Sequence, residues 1–187
     1  MKRQKHSSSG YSFVEILIVM AIMLILTALS LLTWRSVDSA RYTKAAATLQ
    51  SEMSTLRTTT MAQDSRMAMR LYLGADGVYY IERGYYEGGS FQIPDDSSVL
   101  GQSSYYDYIG VSNPVKILER GTLYCEEVGS LATPIDENGV IIRFGKSDGS
   151  MVSGAGQYRL YRRNGELIAN IHLPSDTGLF YVTYTED

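Results

Sequence analysis

Residues 11–34 read YSFVEILIVMAIMLILTALSLLTW, and this stretch decides how the rest of the chain is interpreted. Between positions 16 and 32 its only polar side chains are those of Thr27 and Ser30. A helix of about 20 apolar residues is long enough to cross a hydrocarbon layer roughly 30 Å thick. The stretch therefore predicts a helix that crosses a membrane once.

A single carboxylate, Glu15, lies near the start of this apolar stretch. A charged side chain costs about 2.5–3.5 kcal/mol at the bilayer centre and less toward the interface. Such residues usually mark a functional site, so Glu15 is the first candidate in the chain. Three cations, Lys2, Arg3 and Lys5, precede the stretch. Because cationic flanks stay in the cytoplasm, the C-terminal bulk is predicted to be exported.

Composition excludes several classes of protein. The 187-residue chain carries a net charge of −3, and no basic patch with interleaved aromatics indicates nucleic acid as a main partner. Its single cysteine, Cys125, rules out an internal disulfide and a cysteine-based metal cluster. Fifteen tyrosines against four phenylalanines are typical of a half-exposed β domain rather than a large apolar core.

The helix is predicted to continue well past the apolar stretch. No glycine or proline occurs between Gly10 and Gly74, so nothing interrupts a helix from about Ser12 to about Thr60. After Trp34 the apolar residues recur every three or four positions, which is typical of an amphipathic helix. The predicted stripe consists of Trp34, Val37, Arg41, Ala45, Leu49, Met53, Leu56 and Thr60.

Beyond the helix the period changes from 3.6 to two. Residues 67–73 and 78–81, joined by Gly74-Ala75-Asp76-Gly77, predict a β-hairpin. A tight turn is predicted at Asn164-Gly165, and a long loop over residues 84–110. The further predicted strands, which would form an antiparallel meander, are residues 90–93, 115–119, 140–144, 157–163, 167–172 and 179–183.

The N-terminal residues also resemble a known signal. Gly10, followed by Tyr11-Ser12-Phe13-Val14-Glu15 and a long apolar helix, resembles the N-terminus of type IV pilins and type II secretion pseudopilins. The resemblance implies that a prepilin peptidase cuts between Gly10 and Tyr11, that Tyr11 is then N-methylated, and that Glu15 is the family's fifth mature residue. The family usually has phenylalanine and threonine where this chain has Tyr11 and Ser12.

Cleavage after Gly10 would also explain the carboxylate. It would create an α-amino cation four residues, or one helical turn, from Glu15. An ion pair with that amine, or with the amine of a neighbouring subunit, would offset the cost of burying the charge.

Three alternatives to this interpretation are considered, and the third, a membrane-anchored exported enzyme, is disfavoured because His172 is the only histidine outside the leader. The first is a secretory signal peptide cut near Ala28, although the apolar stretch exceeds the usual 7–15 residues and Glu15 interrupts it. The second is a single-pass, membrane-anchored extracellular binding module, unrelated to filaments, in which Glu15 is incidental.

The C-terminal half has a second, shorter resemblance. It is similar to the β domain of GspH/FimT-type minor pseudopilins, in which a strand such as residues 66–73 follows the helix directly. The motifs that carry this similarity are Ile142-Arg143-Phe144, Asp148-Gly149, Asn164-Gly165 and Thr177-Gly178-Leu179.

Other candidate sites favour structural roles. His172 is the only histidine outside the leader, and its spacing from Cys125 does not indicate a nucleophile and its base. Residues 136–139, Asp-Glu-Asn-Gly, favour a turn over a calcium loop, as does the pair at 95–96, Asp-Asp. Met53, Met61, Met67 and Met69 are predicted to fill the core. The tyrosines expected to pack from the sheet against the helix, with an adhesive face as the alternative, are Tyr79, Tyr80, Tyr85, Tyr86, Tyr105, Tyr106 and Tyr108.

Together these patterns predict an α+β chain whose helix, transmembrane first and amphipathic second, packs on a small antiparallel β-sheet domain. The predicted segments are a cleaved leader at 1–10, an assembly helix at 11–34, its amphipathic continuation at 35–62 and the β domain at 63–187. We expect a minor or tip filament subunit without enzymatic activity, cofactor or metal. Its expected partners are prepilin peptidase, other pilins, an inner-membrane assembly platform and, before assembly, lipid. We expect a single-pass protein of the cytoplasmic membrane that later joins a filament.

Overall fold

The computed structural model describes residues 12–93 and 114–185, beginning with a long helix. This helix, α1, spans Phe13–Ala62 and contains 50 residues, as predicted from the lack of glycine and proline. Just beyond its C-terminal end, Gln63 N donates to Thr59 O at 2.8 Å, and Lys146 Nζ donates to Gln63 O at 2.8 Å. The lysine thereby places a cation at the partially negative end of the helix.

Eleven strands follow α1 within the described ranges. They are β1 Met67–Leu73, β2 Tyr79–Glu87, β3 Ser90–Gln92, β4 Val115–Leu118, β5 Thr122–Glu127, β6 Thr133–Pro134, β7 Val140–Phe144, β8 Met151–Ser153, β9 Gly156–Tyr161, β10 Leu167–Leu173 and β11 Tyr181–Tyr184. They form two antiparallel sheets. Sheet A has the order β3-β2-β1-β7-β8, with β4 also paired to β2, and sheet B has the order β11-β10-β9-β5-β6.

Both predicted hairpins are confirmed. Strands β1 and β2 pair antiparallel with Leu73 opposite Tyr79, and the turn between them contains Gly77 at φ 75°. Strands β9 and β10 are joined through Asn164-Gly165, where Gly165 has φ 84°. Glycine adopts these positive φ values without the steric cost that a β-carbon imposes.

The predicted strand arrangement was wrong in several places. Consecutive strands form a meander in β1, β2 and β3 and again in β9, β10 and β11. The predicted single meander is interrupted because β1 pairs with β7 and β5 pairs with β9 across long stretches of chain. Strands β5, β6 and β8 were not predicted, and β11 begins two residues later than expected. Residues 84–87, predicted as loop, belong to β2 and pair with β1 and β3. The rest of that predicted loop, from 94 onward, lies outside the described residues.

The contacts between residues separate the chain into two compact units, with the boundary between Ala40 and Arg41, inside α1. The last part of the helix therefore belongs to the same unit as the two sheets. Five positions of the predicted stripe in this unit are buried: Ala45, Leu49, Met53, Leu56 and Thr60. Arg41, by contrast, is exposed, and Tyr42 is buried in its place. The side chains of Trp34 and Val37 lie outside the described part of the chain.

The core combines this helical stripe with the inner faces of both sheets. Leu49 and Met53 from α1, Leu71 from β1, Phe144 from β7 and Tyr158 from β9 are all among its fully buried side chains. The prediction that methionines fill the core is confirmed for Met53, Met67 and Met69. It is wrong for Met61, which lies near the end of α1 and is exposed.

One ion pair links the helix to sheet A. Glu52 of α1 accepts hydrogen bonds from Arg83 of β2, including one from Arg83 Nε at 2.8 Å. Both side chains are more than two-thirds buried, so the bond acts where water screens it less than at the surface.

Candidate functional site

The candidate site begins at the first turn of α1, which contains Glu15. The carbonyl oxygen of Ser12 accepts hydrogen bonds from Glu15 N at 2.9 Å and from Ile16 N at 3.2 Å. Ser12 therefore lies at the N-cap of the helix, and Glu15 is three residues after it. The partial positive charge of a helix N-terminus favours a carboxylate at this place.

Sequence reasoning missed a second function for this pair of residues. Ser12-x-x-Glu15 has the spacing of a capping box, in which the serine side chain and the glutamate side chain each accept a hydrogen bond from a backbone N–H of the first turn. Glutamine serves at the glutamate position as well. The hydrogen bonds at this end of the helix come from the Ser12 carbonyl, so the capping box rests on the residue spacing alone. Any contribution of Glu15 to the cap would not depend on its negative charge.

The apolar part of the helix presents its side chains outward. Every described side chain from Ser12 to Leu29 is exposed, including Phe13 at 75% and Leu24 at 72%. Thr27 turns its hydroxyl back onto the helix, donating from Oγ1 to Met23 O at 2.7 Å. This bond satisfies the polar group within the helix, as an apolar environment requires.

Among the described residues, no helix meets the combination of length and apolarity that a membrane crossing requires. Gly10 and Tyr11, the predicted cleavage and methylation residues, lie outside the described part of the chain. Of the three predicted site residues, the structure therefore places only Glu15.

Comparison with known families identifies this segment. Residues 5–31 match the family model described as the prokaryotic N-terminal methylation motif. The N-terminus is type IV pilin-like. Nothing among the curated proteins or the solved structures matches the chain.

The pilin-like motif contains all three residues singled out from the sequence, Gly10, Tyr11 and Glu15. It ends at Leu31, before the amphipathic part of the helix and the β domain. The similarity of the β domain to GspH/FimT-type subunits therefore stays a prediction, as do cleavage after Gly10 and methylation of Tyr11.

The other candidate residues make contacts that fit a structural role. Cys125 and Tyr158 are directly opposite each other on β5 and β9, and both are buried. Burial raises the pKa of the Cys125 thiol to about 11 and that of the Tyr158 phenol well above its usual range. His172 faces the other side of sheet B, where it stacks on Tyr181 with ring centroids 4.5 Å apart. The structure does not bring Cys125 and His172 together.

The predicted turn at Asp136 is confirmed. Asp136 Oδ1 accepts hydrogen bonds from Asn138 N at 3.0 Å and Gly139 N at 3.1 Å, and these bonds lower the pKa of the carboxyl. Within the ranges described, no cluster of three or more His, Cys, Asp or Glu side chains could hold a metal ion. The pair at 95–96 lies outside those ranges.

The tyrosines divide between core and surface. Tyr79 is buried, whereas Tyr80 donates to Asp76 Oδ2 at 2.7 Å and Tyr86 lies beneath the Arg143 guanidinium, 4.4 Å from its ring centroid. The buried position of Tyr79 in the core fits the expected packing, whereas the contacts of Tyr80 and Tyr86 are with Asp76 and Arg143 and not with the helix. The predicted cluster of Tyr105, Tyr106 and Tyr108 lies outside the described residues.

Proposed function

We propose that this chain is a structural subunit, of the minor or tip kind, of a type IV pilus or a type II secretion pseudopilus. Prepilin peptidase would cut between Gly10 and Tyr11, and Tyr11 would be N-methylated. The observation that carries the proposal is the methylation motif at residues 5–31, with Glu15 in the first turn of a helix whose apolar side chains are exposed.

The exposed apolar half of α1 supports assembly through this helix. Thirteen large hydrophobic side chains between Phe13 and Leu29 are about half or more exposed, which is unfavourable in water. We propose that lipid surrounds them in the cytoplasmic membrane, with the β domain exported. On assembly, the same side chains would pack against the corresponding helices of other pilins at an inner-membrane platform.

Glu15 would act through its charge as well as through the helix cap. After cleavage, the α-amino group of Tyr11 would be four residues away, a spacing at which side chains on a helix come close together. In apolar surroundings each of the two charges would be costly alone, and their pairing within or between subunits would favour the assembled state.

The experiment compares two substitutions at Glu15 in cells that assemble the filament. Glu15→Gln keeps the capping-box geometry and removes the charge, whereas Glu15→Ala removes both. We expect normal processing of both variants and a large, similar loss of incorporation into sheared filaments, because both variants lack the negative charge of Glu15. Leader removal is followed by mass spectrometry, and incorporation by immunoblotting of the filament fraction.

Wild-type incorporation of Glu15→Gln would contradict the ion-pair role. If Glu15→Ala were then still defective, capping would be the role of Glu15. Ser12→Ala provides the matched control, since it weakens the cap and leaves the carboxylate in place.

A further inference from the structure

The four-residue edge of sheet B formed by β11 differs from the other sheet edges that the structure describes. At the opposite edge, β6 has two residues and one of them is Pro134, which has no N–H. The outer strands β3 and β8 of sheet A have three residues each. Strand β4, which pairs with β2 at the side of sheet A, has four residues but includes the charged Lys116, and charges also discourage edge pairing. Short strands and proline are common means of preventing an edge from pairing with another chain. Strand β11 has four residues and pairs, within the described chain, with β10 alone.

Successive residues of β11 direct their backbone groups alternately toward β10 and toward the open edge. Thr185 N donates to Ile168 O at 3.0 Å, so residue 185 points its backbone groups toward β10. In an antiparallel pair such residues alternate with ones whose N–H and C=O point away. Thr183 and Tyr181 therefore bond to β10, while Val182 and Tyr184 direct their N–H and C=O groups to the open edge.

The side chains of β11 do not protect this edge either. Its residues, Tyr-Val-Thr-Tyr, include no charge, proline or glycine, and its pairing with β10 has no bulge. Tyr181 is 54% exposed and Tyr184 is 46% exposed. Aromatic and β-branched residues favour strand pairing, so the sequence of this edge promotes the contact that edge strands usually avoid.

We propose that β11 pairs antiparallel with β11 of a second copy of this chain, about a two-fold axis at Thr183. In this register Val182 of each copy is opposite Tyr184 of the other, and each such pair exchanges two hydrogen bonds. Centring the axis on Val182 or Tyr184 would let only one outward-facing residue of each strand find a partner within β11. The register at Thr183 therefore uses the open backbone groups most fully.

The side chains of β11 are compatible with a second copy in this register. Val182 would lie beside Tyr184 of the other copy, a β-branched and aromatic pair, and the two Thr183 side chains would be opposite each other. No charged residue of β11 meets its own copy, so the self-pairing has no repulsion between like charges. A contact of this kind closes on itself and adds no further subunits. It is therefore separate from the contacts that would build a filament and independent of the proposed function.

The experiment is disulfide cross-linking of the full chain in detergent under mild oxidation. Thr183→Cys would place two thiols opposite each other at a non-hydrogen-bonded pair, where Cβ atoms are about 4.5–5.5 Å apart, close to disulfide distance. Tyr181→Cys and Thr185→Cys provide matched controls, because each would be about 13 Å from its own copy. The parent chain, with only the buried Cys125, gives the background.

We expect Thr183→Cys to form covalent dimers in severalfold higher yield than either control variant alone. An equal mixture of Tyr181→Cys and Thr185→Cys should give about half the yield of Thr183→Cys, well above either variant alone. Those positions are opposite each other in the proposed register, and half of randomly formed pairs contain one copy of each variant. Similar yields at all three positions would overturn the proposal, since apolar helices sharing a micelle would produce that result. Background yield from Thr183→Cys would overturn it too, leaving the edge to a different protein or to no partner.

A second substitution tests whether the open backbone groups cause the contact. Adding Val182→Pro to Thr183→Cys removes an outward N–H and should lower the dimer yield severalfold, whereas Val182→Thr, which keeps that N–H, should not. Far-ultraviolet circular dichroism checks that the β signal is retained. Equal dimer yields from the two double variants would overturn the proposed pairing.

Discussion

The two halves of α1 belong to one uninterrupted helix and have opposite surroundings. From Phe13 to Leu29 the described side chains are exposed, although nearly all of them are apolar. From Tyr42 to Thr60 the buried positions recur at helical spacing and form one wall of the core. Apolar side chains in the second half stabilise the fold of this chain, whereas those in the first half are not covered by any part of the chain that the structure describes.

The comparison shows that hydrophobicity alone does not identify a folding core. The first half is the more apolar, yet its side chains are the more exposed. The second half is mixed, and its few apolar residues matter because they lie on one face. This difference predicts which substitutions affect folding and which affect assembly.

The largest effect on folding is expected at Leu49, which is completely buried. Leu49→Ala should lower the free energy of unfolding by about 2–5 kcal/mol, because it removes buried surface and leaves a cavity. Leu24→Ala, at a side chain that is 72% exposed, should change it by less than about 0.5 kcal/mol. Denaturant unfolding of the full chain in detergent, followed by the β signal in circular dichroism, measures both. Equal losses of unfolding free energy from the two substitutions would contradict the distinction between the two halves of α1.

A smaller effect is expected at the bond between the helix and sheet A. Glu52→Ala leaves Arg83, which is more than two-thirds buried, without its carboxylate and should cost about 1–3 kcal/mol of unfolding free energy. Glu119→Ala is the matched control, since both side chains of the Lys116–Glu119 pair are about half exposed and water screens such surface pairs. The same unfolding measurement ranks the two, and a larger loss at Glu119 would contradict the role given to Glu52.

The smallest expected effect is on how the stability of the protein depends on pH. Burial raises the pKa of Cys125 to about 11, whereas an unfolded thiol ionises near about 8.5. In that window the unfolded chain releases a proton that the folded chain keeps, so stability should fall as pH rises. Cys125→Ala should make this fall shallower when unfolding is measured at several pH values between 8 and 10. Parallel pH profiles for the two proteins would indicate that Cys125 has no such role.

Much of the fold could be predicted because local signals dominate there. The absence of glycine and proline gives the extent of α1, and Asn164-Gly165 gives the turn between β9 and β10. Pairings such as β5 with β9 could not be predicted, since they join segments about 30 residues apart and depend on tertiary packing rather than on a local pattern. For the same reason, burial at Tyr42 instead of Arg41 depends on how the helix rotates against the sheets.

The candidate site was predictable to a similar degree. The Glu15 carboxylate is a charged group within an apolar stretch, and for that reason it could be recognised as a candidate from the sequence. The capping-box spacing that it shares with Ser12 was missed, although Ser-x-x-Glu is present in the sequence. Gly10 and Tyr11 were recognised only through their resemblance to a family signal.

The most direct test of the pilin-like interpretation is mass spectrometry of the N-terminus of the protein made in cells that contain prepilin peptidase. We predict a chain that begins at Tyr11 and carries one N-methyl group, with full-length chain accumulating when the peptidase is inactivated. An intact N-terminus, or a chain that begins near Ala28, would contradict processing at Gly10 and with it the role of Glu15 in assembly.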